Sequence, residues 1–94
     1  MSTSAPETCA LCERPLGRRI EWHHWVPKSR GGREVAALHP ICHRAIHASF
    51  GNTDLAKAYA SAEALRADGE IAKFLKWIAN KPADFHAPTF RHKR

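Results

Sequence analysis

The sequence predicts an α+β fold, in which two short strands and a helix form one unit and further helices cover it. Arg19–Trp25 alternates loosely between apolar and polar residues and is followed by a loop that contains Gly31-Gly32. Val35–Leu38 is a short apolar segment after that loop. Two such segments on either side of a glycine-containing loop are typical of paired strands. The second half of the chain is rich in alanine and carries apolar residues at helical spacing, which favours helices there.

The helix that completes the strand–strand–helix unit is predicted from Pro40 to Ser49. Proline is well tolerated at the first helical position, because its missing N–H would be unpaired there in any case. Gly51 and Asn52 are expected to end the helix.

The remaining helices are predicted at Asp54–Tyr59, at Ser61–Arg66 and after Asp68. The apolar side chains of the last helix recur at steps of three, one and three residues, a stripe that is typical of packing against a core. These side chains are Ile71, Phe74, Leu75 and Ile78. The predicted divisions are a disordered segment over residues 1–8, one domain over residues 9–83 and a basic tail over residues 84–94. Within the domain, the core unit is expected over about residues 19–50 and the helical cover over about residues 53–80.

Length and charge limit the function classes. The 94 residues are too few for two independent cores, so one domain is expected. The formal net charge of +6 favours a polyanionic partner, and nucleic acid is the usual one. No apolar run approaches the ~20 residues of a membrane span, and the N-terminus lacks the pattern of a secretory signal. The sequence therefore predicts a cytoplasmic protein with no membrane partner.

Cysteine and histidine spacing predicts a structural zinc site. Three cysteines, an odd number, argue against a disulfide framework in a chain without an export signal. Cys9-x-x-Cys12 has the spacing of a zinc knuckle, and His39-x-x-Cys42 repeats it. Three cysteines and one histidine form a standard tetrahedral Zn²⁺ site. The alternative is two buried thiols beside an incidental histidine.

A histidine-rich motif resembles a known nuclease family. Its residues are, in order, His23, His24, Pro27, Gly31, Gly32, Cys42, His43 and His47. With the knuckles, this pattern covers roughly residues 9–50 and resembles the HNH endonucleases, also called His-Me finger or ββα-metal nucleases, of the small standalone bacterial type. The resemblance implies a small zinc-stabilised ββα-metal unit covered by C-terminal helices. It also implies hydrolysis of DNA with one catalytic divalent metal: Mg²⁺, Mn²⁺, Ni²⁺ or Zn²⁺.

The resemblance assigns separate roles to the two adjacent histidines. His23 is expected to ligate the catalytic metal together with His43 and His47, which lie four residues apart on one helix face. His24 is expected to be the general base that activates water. Adjacent residues on a strand point to opposite faces, so this separation of roles fits the geometry. Imidazole suits a general base because its unperturbed pKa of ~6.5 lies near neutrality.

Basic residues near the motif are predicted to contact phosphate. Lys28, Arg30 and Arg33 lie on the loop with the two glycines, where contact with the nucleic-acid backbone is plausible. Arg44 on the helix is predicted to do the same or to hold the scissile phosphate.

Four further residues have alternative interpretations. Glu34 occupies the position where the family has an asparagine that holds the loop positioning the base. Either Glu34 makes an equivalent hydrogen bond or the loop is held otherwise. Glu21 shares the strand face of His23 and is predicted either to orient an imidazole or to be exposed. Trp22 and Trp25 are predicted to pack against the small core as one of its walls, with stacking on bases as the alternative.

The preferred interpretation is a metal-dependent DNA endonuclease or nickase of low sequence specificity. A protein partner would have to supply sequence choice, because 94 residues leave no room for a further DNA-reading module. The alternatives are a catalytically degenerate zinc-dependent DNA-binding module and a zinc-stabilised interaction protein. The oligomeric state is left open.

Overall fold

The structure of the chain is a computed structural model that describes residues 7–87. Over this range it is α+β, with a two-stranded sheet and four α-helices. The elements in chain order are β1 (Glu21–His24), a 3₁₀ turn (Lys28–Arg30), β2 (Val35–Leu38), α1 (Pro40–Ser49), α2 (Asn52–Lys57), α3 (Ala62–Ala67) and α4 (Gly69–Ile78). None of the helices in this part of the chain is both long and apolar enough to cross a bilayer.

The two strands pair in an antiparallel ladder that extends from Glu21 opposite Leu38 to His24 opposite Val35. The first strand is shorter than the predicted Arg19–Trp25, because β2 offers only four residues to pair with it. Two glycines allow the chain to reverse between the strands. Gly31 adopts a φ of 84°, and a Cβ at Gly32 would lie 1.7 Å from the carbonyl oxygen of Val26.

The helix predicted over Pro40–Ser49 is confirmed at both ends. Gly51 and Asn52 were expected to end it, but the chain already leaves the helix at Phe50, which is extended and buried. The Phe50 ring stacks on Tyr59 with 4.1 Å between the centroids. Asn52 is instead the first residue of α2.

The helical cover has two capped helices. Ser61 Oγ accepts a hydrogen bond from the Ala64 amide at the start of α3, and Asp68 accepts hydrogen bonds from two amides at the start of α4. The predicted stripe on α4 is confirmed, with Ile71 and Ile78 buried and the other two residues partly buried.

One buried core joins the N-terminal loop, α1 and the cover. Its members are Cys9, Leu11, Leu38, Ile41, Cys42, Ile46, Phe50, Leu55, Leu65, Ile71 and Ile78. Trp25 packs against this core as predicted, but the prediction is wrong for Trp22, which is 51% exposed. The alternation of β1 explains the difference, because His23 is buried beside α1 and its neighbour Trp22 faces the other way.

The ends of the described range also contact the domain. Glu7 and Thr8, predicted to be disordered, pair with the chain near Pro15 and Leu16. Within the predicted basic tail, Phe85 and Ala87 pack against the core, and Asp84 accepts a 2.7 Å hydrogen bond from the Arg18 amide. Residues 1–6 and 88–94 of the two predicted terminal segments lie outside the described residues.

Two arginines attach the helical cover to the N-terminal loop. Arg66 on α3 donates to the carbonyl oxygens of Leu11 at 3.0 Å and Ala10 at 2.7 Å. Arg14 on the loop donates in return to the carbonyl oxygen of Lys81, just after α4, at 2.9 and 3.1 Å. Each guanidinium therefore donates to carbonyl groups of the segment opposite its own.

Replacing Arg66 with Ala should lower the free energy of unfolding by about 1–3 kcal/mol, because two partly buried carbonyls lose charged donors. Thermal denaturation of the zinc-loaded protein measures the effect. Lys76→Ala, on an exposed position of α4, is the matched control and should leave the midpoint unchanged. Equal midpoints for Arg66→Ala and the control would contradict this account of how the cover is held.

Candidate metal centres

Cys9, Cys12, His39 and Cys42 converge on one point. The ligand atoms of these four side chains all lie within 4.8 Å of one another. Cys12 Sγ is 3.4 Å and Cys42 Sγ 3.8 Å from Nδ1 of His39. All three cysteines are free thiols, and the cluster is compatible with the structural zinc predicted from the spacing.

The His39 ring is oriented as a metal ligand would be. Its Nε2 lies 2.8 Å from the carbonyl oxygen of Pro15. Because a carbonyl only accepts, Nε2 carries the proton, and Nδ1 presents its lone pair to the sulfurs. A backbone carbonyl that fixes the tautomer of a ligating histidine is a usual feature of metal sites.

The thiols share negative charge unevenly. Hydrogen bonds from the Cys12 and Cys42 thiols lower the pKa of Cys9, whereas donation to Cys12 and Cys9 together with burial raises the pKa of Cys42. When hydrogen bonds among the three thiols are all that stabilises a thiolate, the charge lies on Cys9 and protons remain on the other sulfurs. A divalent cation displaces such protons because its ligands must be deprotonated, so binding is favoured as pH rises.

A second cluster joins β1 to α1 through His23, His43 and His47. The ligand nitrogens lie within 4.8 Å of one another, and the ring centroids are 4.8–5.4 Å apart. His23 is 1% exposed, yet neither of its ring nitrogens has a hydrogen-bond partner among the described residues. Buried polar atoms are nearly always paired, so an orphaned imidazole facing two others fits a bound cation.

Glu21 orients the second histidine of this cluster, as one of its two interpretations predicted. Its Oε1 lies 2.9 Å from His43 Nδ1, so Nδ1 carries the proton and donates to the carboxylate. The free Nε2 of His43 then faces Nε2 of His47 at 3.2 Å. A carboxylate behind a ligating imidazole raises its basicity and fixes its orientation.

The electrostatics of the cluster keep His23 and His47 neutral. Burial, reinforced by the neighbouring His43 and His47, lowers the pKa of His23 to about 4. Burial and His43 also lower the pKa of His47. At neutral pH these imidazoles therefore have free lone pairs, which is the form that binds a metal.

His24 lies outside this cluster but borders the same cleft. The cleft has a volume of about 400 Å³. Its lining residues are Trp22, His23, His24, Pro27, Lys28, Ser29, His43, His47 and Asn52. Adjacent positions on β1 thus give one buried histidine within the cluster and one, His24, beside it on the cleft.

The predicted phosphate-contacting residues lie in three places. Lys28 borders the cleft, whereas Arg30 donates a 2.8 Å hydrogen bond to Thr53 Oγ1. Arg33 lines a separate depression beside the two glycines. Arg44 does not line the cleft, and its Nη2 lies 2.8 Å from Nδ1 of His86. Successive residues of an α-helix point about 100° apart, so Arg44 faces away from the side on which His43 meets the cleft.

The loop between the strands is held by its backbone rather than by Glu34. The Glu34 side chain is exposed and lacks a hydrogen bond within the described part of the chain. Its carbonyl accepts from the Trp25 amide at 3.3 Å, and the Pro27 carbonyl accepts from Arg30 and Gly32 at 2.8 and 3.2 Å. Of the two alternatives for this position, the structure therefore favours a loop held otherwise.

Two cleft residues were not assigned from the sequence. Ser29 and Asn52 carry no spacing signal, and they reach the cleft because the 3₁₀ turn and the start of α2 meet there.

No protein-family model matches the chain, and no solved structure matches it. The uncharacterized protein YisB of Bacillus subtilis is 40% identical over 78 residues, which cover 81% of this chain and 77% of YisB.

Replacing Cys12 with Ala should remove one tightly held zinc per chain and unfold the N-terminal half. The reason is that the loop before β1 depends on the cluster for much of its free energy of folding. Zinc content by elemental analysis and thermal stability are the measurements. His47→Ala is the control, since it deletes a ligand of the other cluster and should keep the knuckle zinc. A soluble, zinc-free Cys12→Ala protein of unchanged stability would contradict the assignment.

Proposed function

We propose that this chain, which belongs to the protein family of Bacillus subtilis YisB, is a metal-dependent endonuclease that hydrolyses DNA phosphodiester bonds. One observation carries the proposal: among residues 7–87, a buried His23 without hydrogen-bond partners faces two more imidazoles in a cleft that His24, outside this cluster, also borders. The order β1, β2, α1, with histidines from both β1 and α1, supports the resemblance to the ββα-metal nucleases.

The three clustered histidines fit a divalent cation. His23, His43 and His47 would hold it through ring nitrogens, with Glu21 behind His43. Among Mg²⁺, Mn²⁺, Ni²⁺ and Zn²⁺, a set of imidazole nitrogens favours Ni²⁺ and Zn²⁺, because Mg²⁺ and Mn²⁺ prefer oxygen ligands. When bound, the cation supplies charge neutralisation at the phosphate and stabilisation of the leaving oxygen.

His24 acts as the general base in this proposal. It borders the cleft but is not one of the clustered ligands, so its imidazole can accept the proton of an attacking water. Lys28 on the cleft rim provides a positive charge that draws the phosphate toward His24. The zinc at Cys9, Cys12, His39 and Cys42 is structural and takes no part in the reaction.

DNA is the proposed substrate because the charge of the protein matches it. The net charge is +6, and Lys28, Arg30 and Arg33 are all exposed on one loop beside the cleft. Such contacts bind phosphates without reading bases, so we infer low sequence specificity and a protein partner where a site must be chosen. The proposal places this activity in the cytoplasm.

A second candidate is a zinc-dependent DNA-binding module without catalysis. Glu34 favours it, because the family's asparagine is replaced there by an exposed carboxylate that does not hold the loop. The backbone hydrogen bonds of the loop favour the nuclease, since they position His24 without that side chain. Cleavage assays separate the two.

Replacing His24 with Ala should abolish plasmid nicking while leaving the fold, the zinc and DNA affinity nearly intact. Loss of a general base typically costs ~10²–10⁴ in rate. His23→Ala and His43→Ala each remove a ligand, so they should also weaken binding of the catalytic metal and be partly rescued by excess metal. Nicking of supercoiled plasmid across a metal titration, with metal affinity by calorimetry, tests all three variants.

His86→Ala is the control for these variants, since His86 lies outside both clusters and should nick at the wild-type rate. If His24→Ala loses the metal while His23→Ala keeps it, the two roles are reversed. If His24→Ala, His23→Ala and His43→Ala all nick at the wild-type rate, the centre lies elsewhere and the nuclease proposal for this cleft fails. If the wild type binds DNA but never nicks it with any of the four metals, the second candidate is correct.

DNA affinity should fall steeply with added salt and vary little with sequence, because phosphate contacts release counterions. Lys28→Ala should reduce the slope of log K against log salt by about one, since it removes one phosphate contact. Lys76→Ala removes an equal charge from α4, away from the cleft, and should change the slope less. A salt-independent affinity, or equal effects of the two variants, would argue against the loop as the contact surface.

A further inference from the structure

Trp22 exposes about half of its side chain to solvent. It is 51% exposed, the highest value among the large apolar side chains of residues 7–87. An indole offers a large apolar area, and leaving half of it in water forgoes the free energy that burial would provide.

The indole of Trp22 also lacks the contacts that the other two tryptophans make. Trp25 contacts the His23 ring and packs against the core. Trp77, which is 45% exposed, contacts Phe85 with centroids 5.5 Å apart and has Lys81 Nζ 5.6 Å from its ring. Within the described range, no aromatic ring or cation contacts the Trp22 indole.

The position of Trp22 connects it to the proposed chemistry. Trp22 and His24 lie two residues apart on β1, so they share one face at a spacing of about 7 Å, and both border the cleft. Lys28 and Ser29 lie on the rim of the same cleft and can contact phosphate. A flat aromatic ring beside basic groups is the combination that binds single-stranded nucleic acid, with bases stacked on the ring and the backbone held by charge.

We propose that Trp22 stacks on an unpaired nucleobase next to the phosphate that Lys28 draws toward His24, so that the substrate class is single-stranded or locally unpaired DNA. The inference rests on the proposed function for the identity of the polymer. In a duplex the faces of a base are covered by its neighbours, and the indole gains access only where a base leaves the stack. That exposure costs least at a single-stranded, mismatched or damaged position.

The test measures binding of the full-length, zinc-loaded protein in a His24→Ala background, which prevents cleavage. The probes are a labelled oligothymidylate of twelve nucleotides, the same backbone with abasic sugars throughout, and a duplex of equal length. The protein variants are Trp22→Ala, Trp22→Phe and, as the matched control, Trp77→Ala. Circular dichroism and zinc content establish that each variant is folded.

Trp22→Ala should weaken binding of the oligothymidylate about 5- to 150-fold, equivalent to ~1–3 kcal/mol for one stacked base. The same substitution should leave binding of the abasic probe nearly unchanged, because that probe has phosphates but no base to stack. Trp22→Phe should retain most of the affinity, and Trp77→Ala should resemble the parent. The parent protein, which retains Trp22, should also prefer the single strand over the duplex more strongly than the Trp22→Ala variant does.

Equal losses on the oligothymidylate and the abasic probe would overturn the proposal, since Trp22 would then act through the fold or the backbone. A parent dimer that Trp22→Ala converts to monomers, seen by light scattering, would also overturn it by assigning the exposed ring to a second copy. Failure of the nuclease proposal looks different: the base-dependent effect of Trp22 persists, but the protein with an intact His24 nicks no DNA with any metal.

Discussion

The convergence of Cys9, Cys12, His39 and Cys42 is the constraint on which the rest of the structure depends. It joins the N-terminal loop to the start of α1 across a long stretch of sequence, and a small chain has little other means of fixing such a loop. The loop in turn anchors the helical cover, because Arg66 donates to its carbonyls. A cation bound at this cluster would therefore stabilise contacts well beyond its own ligands.

The same constraint positions the second cluster. His39 is the residue before α1, and Cys42 lies in its first turn, so the knuckle fixes where the helix begins. His43 and His47 follow on that helix, one turn apart, and face His23 of β1. One helix thus carries ligands of both clusters, and Glu21 completes the connection by bonding His43 from the strand. By fixing where α1 begins, the Cys–His site also fixes the positions of His43 and His47, whose ring nitrogens would hold the metal in the proposed chemistry.

Where sequence reasoning succeeded, the signal was local. The α1 bounds followed from a proline at the first helical position, and the α4 stripe followed from its apolar spacing. Where it failed, a contact between distant segments decided the outcome. Arg44 turned away from the cleft toward His86, 42 residues later. Trp22 was expected in the core, and only the pairing of β1 with β2 against α1 shows that its face of the strand remains open.

The sequence by itself determined which residues can meet as ligands, because two-residue and four-residue spacings are properties of a turn and of a helix and need no partner. Thus the Cys–His knuckles and the pair His43 and His47 were readable from the chain alone. Only the tertiary structure decided which ring nitrogens are free. Pro15 holds Nε2 of His39 from 24 residues away, and Glu21 holds Nδ1 of His43 from 22 residues away. Hydrogen bonds across such distances form only after the chain has packed, so no local pattern encodes them.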